Sequence, residues 1–132
     1  MEQNKQMQIP QEVKFGADGL IPAVIQDINS GDVLMIGFMN REALEKTFSE
    51  GKVCFWSRSR NKLWLKGETS GNFLIVKEVY VNCYVDSLLI KAEPIGPTCH
   101  TGYDSCYYRK VADDGSLEVI AEQHFDPKDV YK

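Results

Sequence analysis

The sequence predicts a single, mainly β domain of the α+β class, in which a bent antiparallel sheet or pseudo-barrel is capped by one α-helix. Three observations predict it: many short runs of β-branched and aromatic residues, turn residues between these runs, and one segment with helical periodicity. A chain of 132 residues can bury a core of its own. The predicted organisation is a flexible N-terminal arm over residues 1–15, one domain over 16–122 and a tail over 123–132.

The first half of the chain predicts a hairpin followed by the helix. Two apolar runs in "LIPAVIQDINSGDVLMIGFM" flank the turn residues 29–32, where Gly31 can take a left-handed conformation. Asn40 then precedes "REALEKTFSE", and Gly51 follows it. Asparagine is a favoured N-cap and glycine a favoured C-terminal stop, so a helix of about ten residues is predicted between them.

The second half predicts further strands in pairs. "KVCFWS" leads through a basic turn into another short strand, and "FLIVKEVYV" has "DSLLIKAE" as its partner. "SCYYRKV" and "LEVIAE" flank a hairpin turn at residues 113–115.

Composition excludes several classes of protein. The formal charge of −4 argues against a nucleic-acid backbone as the main partner, so any bound phosphate must be held by a few placed cations. No apolar run approaches the roughly 20 residues of a membrane span. The polar start "MEQNKQMQIPQEVKF" lacks the apolar core of a signal peptide. We therefore expect a cytoplasmic protein whose cysteines are reduced thiols.

Three of the four cysteines are candidate metal ligands. Cys83, Cys99 and Cys106 could fill three corners of a zinc tetrahedron and leave the fourth corner to water, which is typical of a catalytic site. Cysteine is also a small hydrophobic residue that is often buried, and Cys54 in an apolar strand is interpreted in that way. His100, beside Cys99, is a candidate proton carrier, although loop histidines are often merely solvated.

The segment "SRSRNK" is a candidate phosphate site. Arg58, Arg60 and Lys62 occur at alternate positions, which on extended backbone would place them on one face. Arginine matches phosphate oxygens, and the hydroxyls of Ser57 and Ser59 can complete the site. The alternative is an ordinary charged hairpin tip.

Three motifs occur together in one known family. The runs "IQDINSGDVLMIGFMNREAL", "WSRSRNKLWLKGETSGN" and "GPTCHTGYDSCYYR" resemble phosphoribosyl-AMP cyclohydrolase of histidine biosynthesis, over residues 19 to 110. The resemblance implies a homodimer with a barrel-like β fold and active sites at the subunit interface. It implies a zinc ion on Cys83, Cys99 and Cys106, with Cys83 and the cysteine loop coming from different chains.

The resemblance also implies the reaction. Zinc lowers the pKa of a bound water, hydroxide adds to C6 of the N1-ribosylated adenine, and the bond between N1 and C6 breaks. His100 would transfer the proton. The substrate has two phosphates, so the "SRSRNK" cluster would bind one of them. Thr69 and Ser70 in "GETSGN", with Arg109, would bind the other.

The sequence departs from the family at one place. The family pattern Asp-Cys-Asp-x-Asp, whose carboxylates hold magnesium, is replaced by Asn82-Cys83-Tyr84-Val85-Asp86. Asp86 remains, Asn82 offers only an amide oxygen, and Tyr84 is a poor ligand for a hard cation. Either zinc alone suffices, or another carboxylate such as Asp104 or Glu68 compensates, or the reaction has changed.

Two other functions share these motifs. The first is a zinc-dependent hydrolase that acts on another purine nucleotide. The second is a non-catalytic, zinc-stabilised dimer that binds nucleotides, in which protein ligands would fill all four zinc positions.

Overall fold

The computed structural model of the chain describes residues 7–130. Its strands and helices, in chain order, are β1 Ile21–Asp27, β2 Val33–Met39, α1 Arg41–Glu50, β3 Cys54–Ser57, β4 Lys62–Leu65, β5 Leu74–Val81, β6 Leu88–Pro94, β7 Arg109–Val111, β8 Leu117–Val119 and α2 Pro127–Val130. Neither helix in these residues is long and apolar enough to cross a membrane. The predicted mainly β fold with one substantial helix is confirmed.

The main sheet has four strands in the order β2-β1-β6-β5. The β1–β2 and β5–β6 pairs are antiparallel, as predicted, but β1 and β6 run parallel at the centre of the sheet. Parallel neighbours need a long crossover connection, and the chain from β2 to β5, which includes α1 and the β3–β4 hairpin, supplies it. The sheet is therefore mixed rather than purely antiparallel.

The β3–β4 hairpin connects the two edges of this sheet without closing it. The amide of Val53, just before β3, donates to the Leu74 carbonyl of β5 at 3.0 Å. On the other side, β3 packs on β2, where a Cβ atom at position 37 would lie 2.5 Å from the Phe55 ring. Glycine at position 37 is what allows this close approach. The result is a partial barrel.

The core lies between the main sheet and the helix. Ile21, Ala23 and Ile25 alternate inward along β1, and β6 contributes Leu88, Ile90 and Ala92, all at most 2% exposed. Helix α1 adds Ala43, Leu44 and Phe48. The period of two on the strands and the period of 3.6 on the helix therefore point into one shared core.

The ends of helix α1 follow the predicted capping. The Asn40 side chain accepts a hydrogen bond from the Ala43 amide at 2.8 Å. Gly51 takes the left-handed conformation with φ of 72°, and its amide donates to the Thr47 carbonyl. The hairpin glycine, Gly31, likewise has a positive φ of 82°.

Both terminal segments contact the domain where the structure describes them. Of the predicted arm, residues 1–6 lie outside the described part, whereas Val13 is buried and the Lys14 amide donates to the Val85 carbonyl at 2.7 Å. In the predicted tail, the His124 amide donates to the Gly102 carbonyl at 2.7 Å. The domain boundaries at residues 15 and 122 stay predictions.

We predict that Thr47→Val destabilises the fold. The Thr47 hydroxyl lies between α1 and β3, where it accepts a hydrogen bond from the Cys54 amide at 2.9 Å and is fully buried. Valine has the same shape but leaves that amide without an acceptor, which costs about 1–3 kcal/mol. Urea unfolding measures this loss. Thr47→Ser keeps the hydroxyl and is the control; an equal loss in both variants would assign the effect to packing.

Candidate functional site

A cavity of about 490 Å³ opens beside the β3–β4 hairpin. The hairpin and the glycine-rich loop that directly follows β4 supply two of its walls, and the cysteine loop, which is distant in sequence, supplies the third. The lining residues are Ser57, Ser59, Arg60, Trp64, Lys66, Gly67, Thr69, Ser70 and His100. The structure thus brings the two predicted phosphate segments and the predicted proton carrier to one cavity.

The basic segment forms the hairpin turn and not extended backbone. Residues 58–61 turn between β3 and β4, with the Arg60 amide donating to the Ser57 hydroxyl at 3.2 Å and Asn61 at a φ of 56°. The expectation that three cations share one face is therefore wrong. Arg60 lines the cavity, whereas the Arg58 guanidinium lies 4.1 Å from the centroid of the Phe38 ring.

Two other predicted phosphate-binding cations also lie outside the cavity lining. Lys62 begins β4 as an exposed residue. Arg109 begins β7, and its guanidinium lies 5.1 Å from the centroid of the Tyr108 ring. In the single chain, only Arg60 of the four predicted cations lines the cavity.

The glycine-rich loop supplies hydroxyls to the opposite wall. Gly67 has a φ of 96°, and a Cβ atom there would lie 2.7 Å from the Phe73 amide nitrogen, so glycine is required at this position. The Ser70 hydroxyl accepts a hydrogen bond from the Asn72 amide at 3.1 Å. Thr69 and Ser70 both line the cavity, as a phosphate site requires.

The cysteine loop is attached to the edge strand β2. The Cys106 amide donates to the Leu34 carbonyl at 2.8 Å, and the Ser105 hydroxyl donates to the Val33 carbonyl at 2.6 Å. Within the loop, the Cys99 amide donates to the Tyr103 carbonyl at 2.9 Å. These bonds hold Cys99 and Cys106 in fixed positions beside the cavity.

The thiols of Cys99 and Cys106 are neighbours, and the Cys99 Sγ atom also lies 2.9 Å from the Thr101 hydroxyl oxygen. Burial, followed by the charge and hydrogen bond of Cys99, raises the pKa of Cys106 from 9.0 to about 12. Burial also lowers the pKa of Lys66, and the two thiols oppose that change. Paired thiols beside a cavity have the donor chemistry of half a zinc site. The fourth cysteine, Cys54, is buried in the core as predicted.

Cys83 does not join this pair within one chain. It is exposed on the turn between β5 and β6, and residues 7–130 contain no group of three potential metal-ligating side chains. Any site with all three cysteines therefore needs a ligand from a second chain.

The predicted residual magnesium site does not fit that ion. The Asn82 amide nitrogen donates to an Asp86 carboxylate oxygen at 2.8 Å. The Asn82 amide oxygen accepts hydrogen bonds from the Asp86 and Ser87 amides, both at 2.9 Å. The two candidate ligands bind each other and hold the turn, and Tyr84 offers no carboxylate.

The two carboxylates considered as substitutes are also engaged elsewhere. Glu68 accepts a hydrogen bond from the Leu65 amide at 2.9 Å. Asp104 lies 3.1 Å from the Nε2 atom of His124.

The sequence pattern predicted no function for two of the residues that line the cavity. Lys66 and Gly67 directly follow β4 in the segment "KGETSGN". A lysine after an apolar strand is usually solvated, so the pattern gave no signal that Lys66 is buried. The glycine was detectable as a turn residue only.

Comparisons with known proteins agree with this arrangement of motifs. The family model described as phosphoribosyl-AMP cyclohydrolase matches residues 35–108. A protein of that name from Chlorobium phaeovibrioides is 53% identical over 119 residues, covering 90% of this chain and 87% of the relative. Proteins of the same name from Prosthecochloris aestuarii and Pelotomaculum thermopropionicum are 48% and 52% identical. The first alignment covers 99% of this chain and 97% of the relative, and the second covers 90% and 92%.

We predict that Cys106 resists alkylation in the metal-free protein. Because burial raises the pKa of its thiol, the reactive thiolate is scarce at pH 8 and increases as the pH rises past 9 towards about 12. Iodoacetamide labelling followed by peptide mass spectrometry measures the rate at each pH. The urea-unfolded protein is the control, in which Cys106 should be labelled rapidly at pH 8. Equal rates in the folded and unfolded protein at pH 8 would contradict the prediction.

Proposed function

Because the chain belongs to the phosphoribosyl-AMP cyclohydrolase family, we propose that it opens the purine ring of 1-(5-phosphoribosyl)-AMP between N1 and C6 in histidine biosynthesis. One observation supports this above all others. A single cavity is lined by Arg60, by the hydroxyls of two separate segments and by His100, and it adjoins a pair of thiols. Phosphate binding, proton transfer and metal binding are thus available in one place.

A zinc ion is part of the proposal. Cys99 and Cys106 of one subunit would hold it together with the partner subunit's Cys83, because the described part of one chain does not bring all three together. When bound, zinc supplies the lowered water pKa that makes a nucleophile available at neutral pH. A reducing cytoplasm, where these thiols stay free, suits such a site.

A homodimer follows from the same requirement, and an exposed apolar surface supports it. The β7–β8 hairpin pairs with no other strand within residues 7–130. It exposes Val111 at 67% and Leu117 at 58%, and Val119 and the neighbouring Ile120 are also exposed. An unpaired apolar hairpin of this kind is typical of a protein–protein interface.

The chain's own residues would bind and orient the nucleotide. The Arg60 guanidinium and the Ser57 and Ser59 hydroxyls bind one phosphate, and Thr69 and Ser70 bind the other. The Trp64 ring also lines the cavity and offers a face for the purine.

His100 is the proposed proton carrier. Hydrolysis places the oxygen of water on C6, breaks the bond between N1 and C6, and leaves the electron pair on N1, which takes up a proton. His100 is exposed on the cavity wall, and an imidazole there can transfer that proton. Magnesium has no role in the proposal, since Asn82 and Asp86 bind each other.

We predict that the wild-type protein with zinc, and without added magnesium, opens the ring of 1-(5-phosphoribosyl)-AMP. Cys83→Ser and Cys99→Ser should each be inactive. Mixing the two variants under conditions that exchange subunits should restore about a quarter of the wild-type rate, because half of the dimers are mixed and each has one complete site. The absorbance change on ring opening measures the rate.

The outcomes of this experiment are distinct. Recovery on mixing supports a site shared between subunits, and no recovery contradicts it. Turnover only after magnesium is added would contradict the zinc-only proposal. A wild-type protein that binds zinc but shows no turnover with any divalent ion would contradict the cyclohydrolase function.

We also predict that Arg60→Gln raises the KM about tenfold or more while kcat changes little, because it removes a charged hydrogen bond to a phosphate. Arg58→Gln should raise the KM less, since its guanidinium lies on Phe38. Arg41→Gln, on the exposed face of α1, is the control. Steady-state kinetics decide, and a larger effect at Arg58 than at Arg60 would contradict the assignment.

A further inference from the structure

The C-terminal segment of residues 123–125, which we call the tail segment, lies on the cysteine loop. The side-chain amide nitrogen of Gln123 donates to the Thr101 carbonyl at 2.7 Å. The His124 backbone amide donates to the Gly102 carbonyl, also at 2.7 Å. The two partners of the first bond are 22 residues apart in the chain, so the contact is tertiary and not part of a local turn.

A side-chain pair and a close backbone approach extend this contact. The Nε2 atom of His124 lies 3.1 Å from an Asp104 carboxylate oxygen, and the imidazole N–H is the donor because a carboxylate only accepts hydrogen bonds. Gly102 has a φ of 98°, and a Cβ atom there would overlap the Phe125 carbonyl oxygen. Glycine at position 102 therefore permits both the left-handed backbone and the approach of the tail segment.

The tail segment binds the loop next to the Cys99 thiol. The hydroxyl oxygen of Thr101, whose carbonyl accepts from Gln123, lies 2.9 Å from the Cys99 Sγ atom. A thiolate accepts hydrogen bonds, so in the metal-binding form of Cys99 the Thr101 hydroxyl is the donor. His100, the proposed proton carrier, lies between these two residues in the chain. Outer partners of this kind orient the ligands of a metal ion.

The bonds to β2 support the other end of the loop. They reach Ser105 and Cys106, at its C-terminal end. Within residues 7–130, the hydrogen bonds that join Thr101, Gly102 and Asp104 to other segments come from the tail segment. The two supports are therefore complementary, one for each cysteine of the loop.

On the basis of the proposed function, we propose that the tail segment positions the cysteine loop for the reaction. Gln123 and His124 are then positioning residues, which act through the loop to hold the Cys99 thiol and to keep His100 at the cavity wall. Neither of the two lines the cavity. Their loss should lower zinc affinity and kcat but not raise the KM, because the assigned phosphate-binding groups lie on the other walls.

Alkylation of the metal-free protein tests the proposal without turnover. Cys99 is 5% exposed and should react slowly with iodoacetamide in the wild-type protein. The double variant Gln123→Ala/His124→Pro removes both side-chain donors and the backbone donor at position 124. Its Cys99 should react about fivefold faster or more, because the loop opens locally. Peptide mass spectrometry measures the rate at each cysteine.

Two other cysteines are internal references in the same sample. Cys54 is 1% exposed in the core and reports global unfolding, whereas Cys83 is exposed on the turn between β5 and β6. Both should keep their wild-type rates. His124→Gln retains the backbone amide and a side-chain N–H, and should restore slow labelling of Cys99. Glu122→Ala, at an exposed neighbouring position, is the matched control and should also label as the wild type does.

Zinc binding and kinetics give a second readout. Competition with a chelator should show about tenfold weaker zinc binding by the double variant. With zinc at saturation, kcat should fall while the KM for 1-(5-phosphoribosyl)-AMP changes by less than about twofold. A variant that is merely less stable would not show this separation of kcat from KM.

The outcomes are distinct. If the double variant also labels Cys54 rapidly, Gln123→Ala/His124→Ala replaces it, and its Cys99 should react at least about threefold faster than in the wild type. An unchanged Cys99 rate, an equal acceleration at Cys54 in this milder variant, or an unchanged zinc affinity would overturn the proposal. Failure of the proposed function is recognised separately, as absent ring opening by the wild-type protein, because the labelling needs neither metal nor turnover.

Discussion

The attachment of the cysteine loop to the edge strand β2 is the constraint on which the candidate site depends. Backbone and hydroxyl hydrogen bonds from Ser105 and Cys106 reach the carbonyls of Val33 and Leu34. Because β2 is itself paired to the buried strand β1, the loop takes its position from the core. The thiol pair is thus connected through β2 to the buried core of the domain, and such support favours a preorganised site.

The three walls of the cavity supply different chemical groups. The hairpin turn gives a guanidinium and hydroxyls, the glycine-rich loop gives further hydroxyls, and the cysteine loop gives His100 and the thiols. The groups to which we assign phosphate binding are therefore separate from the groups to which we assign the reaction at the base. Lys66 directly follows β4 and is buried, with its ammonium 5.4 Å from the centroid of the Trp64 ring.

The turn at Asn82 is held by hydrogen bonds within the chain. Two carboxylates at positions 82 and 86 would repel each other and would need a cation between them. An amide at position 82 can donate to Asp86 and still accept two backbone amides, and it does both. The turn that carries Cys83 is therefore held by the chain alone.

By itself, the sequence determined the elements whose causes are local. Asn40 and Gly51 delimit α1, Gly31 allows the first hairpin turn, and alternating apolar residues mark the strands, because capping, backbone freedom and side-chain period act within a few residues. The motifs likewise indicated which segments form the site.

The tertiary structure decided what depends on long-range packing. It placed β6 parallel to β1, turned Arg58 onto Phe38 while Arg60 lines the cavity, and enclosed Lys66. It also kept Cys83 apart from the other two cysteines of its own chain. Local patterns cannot determine these features, because each depends on which distant segments pack together and on which side chains they cover.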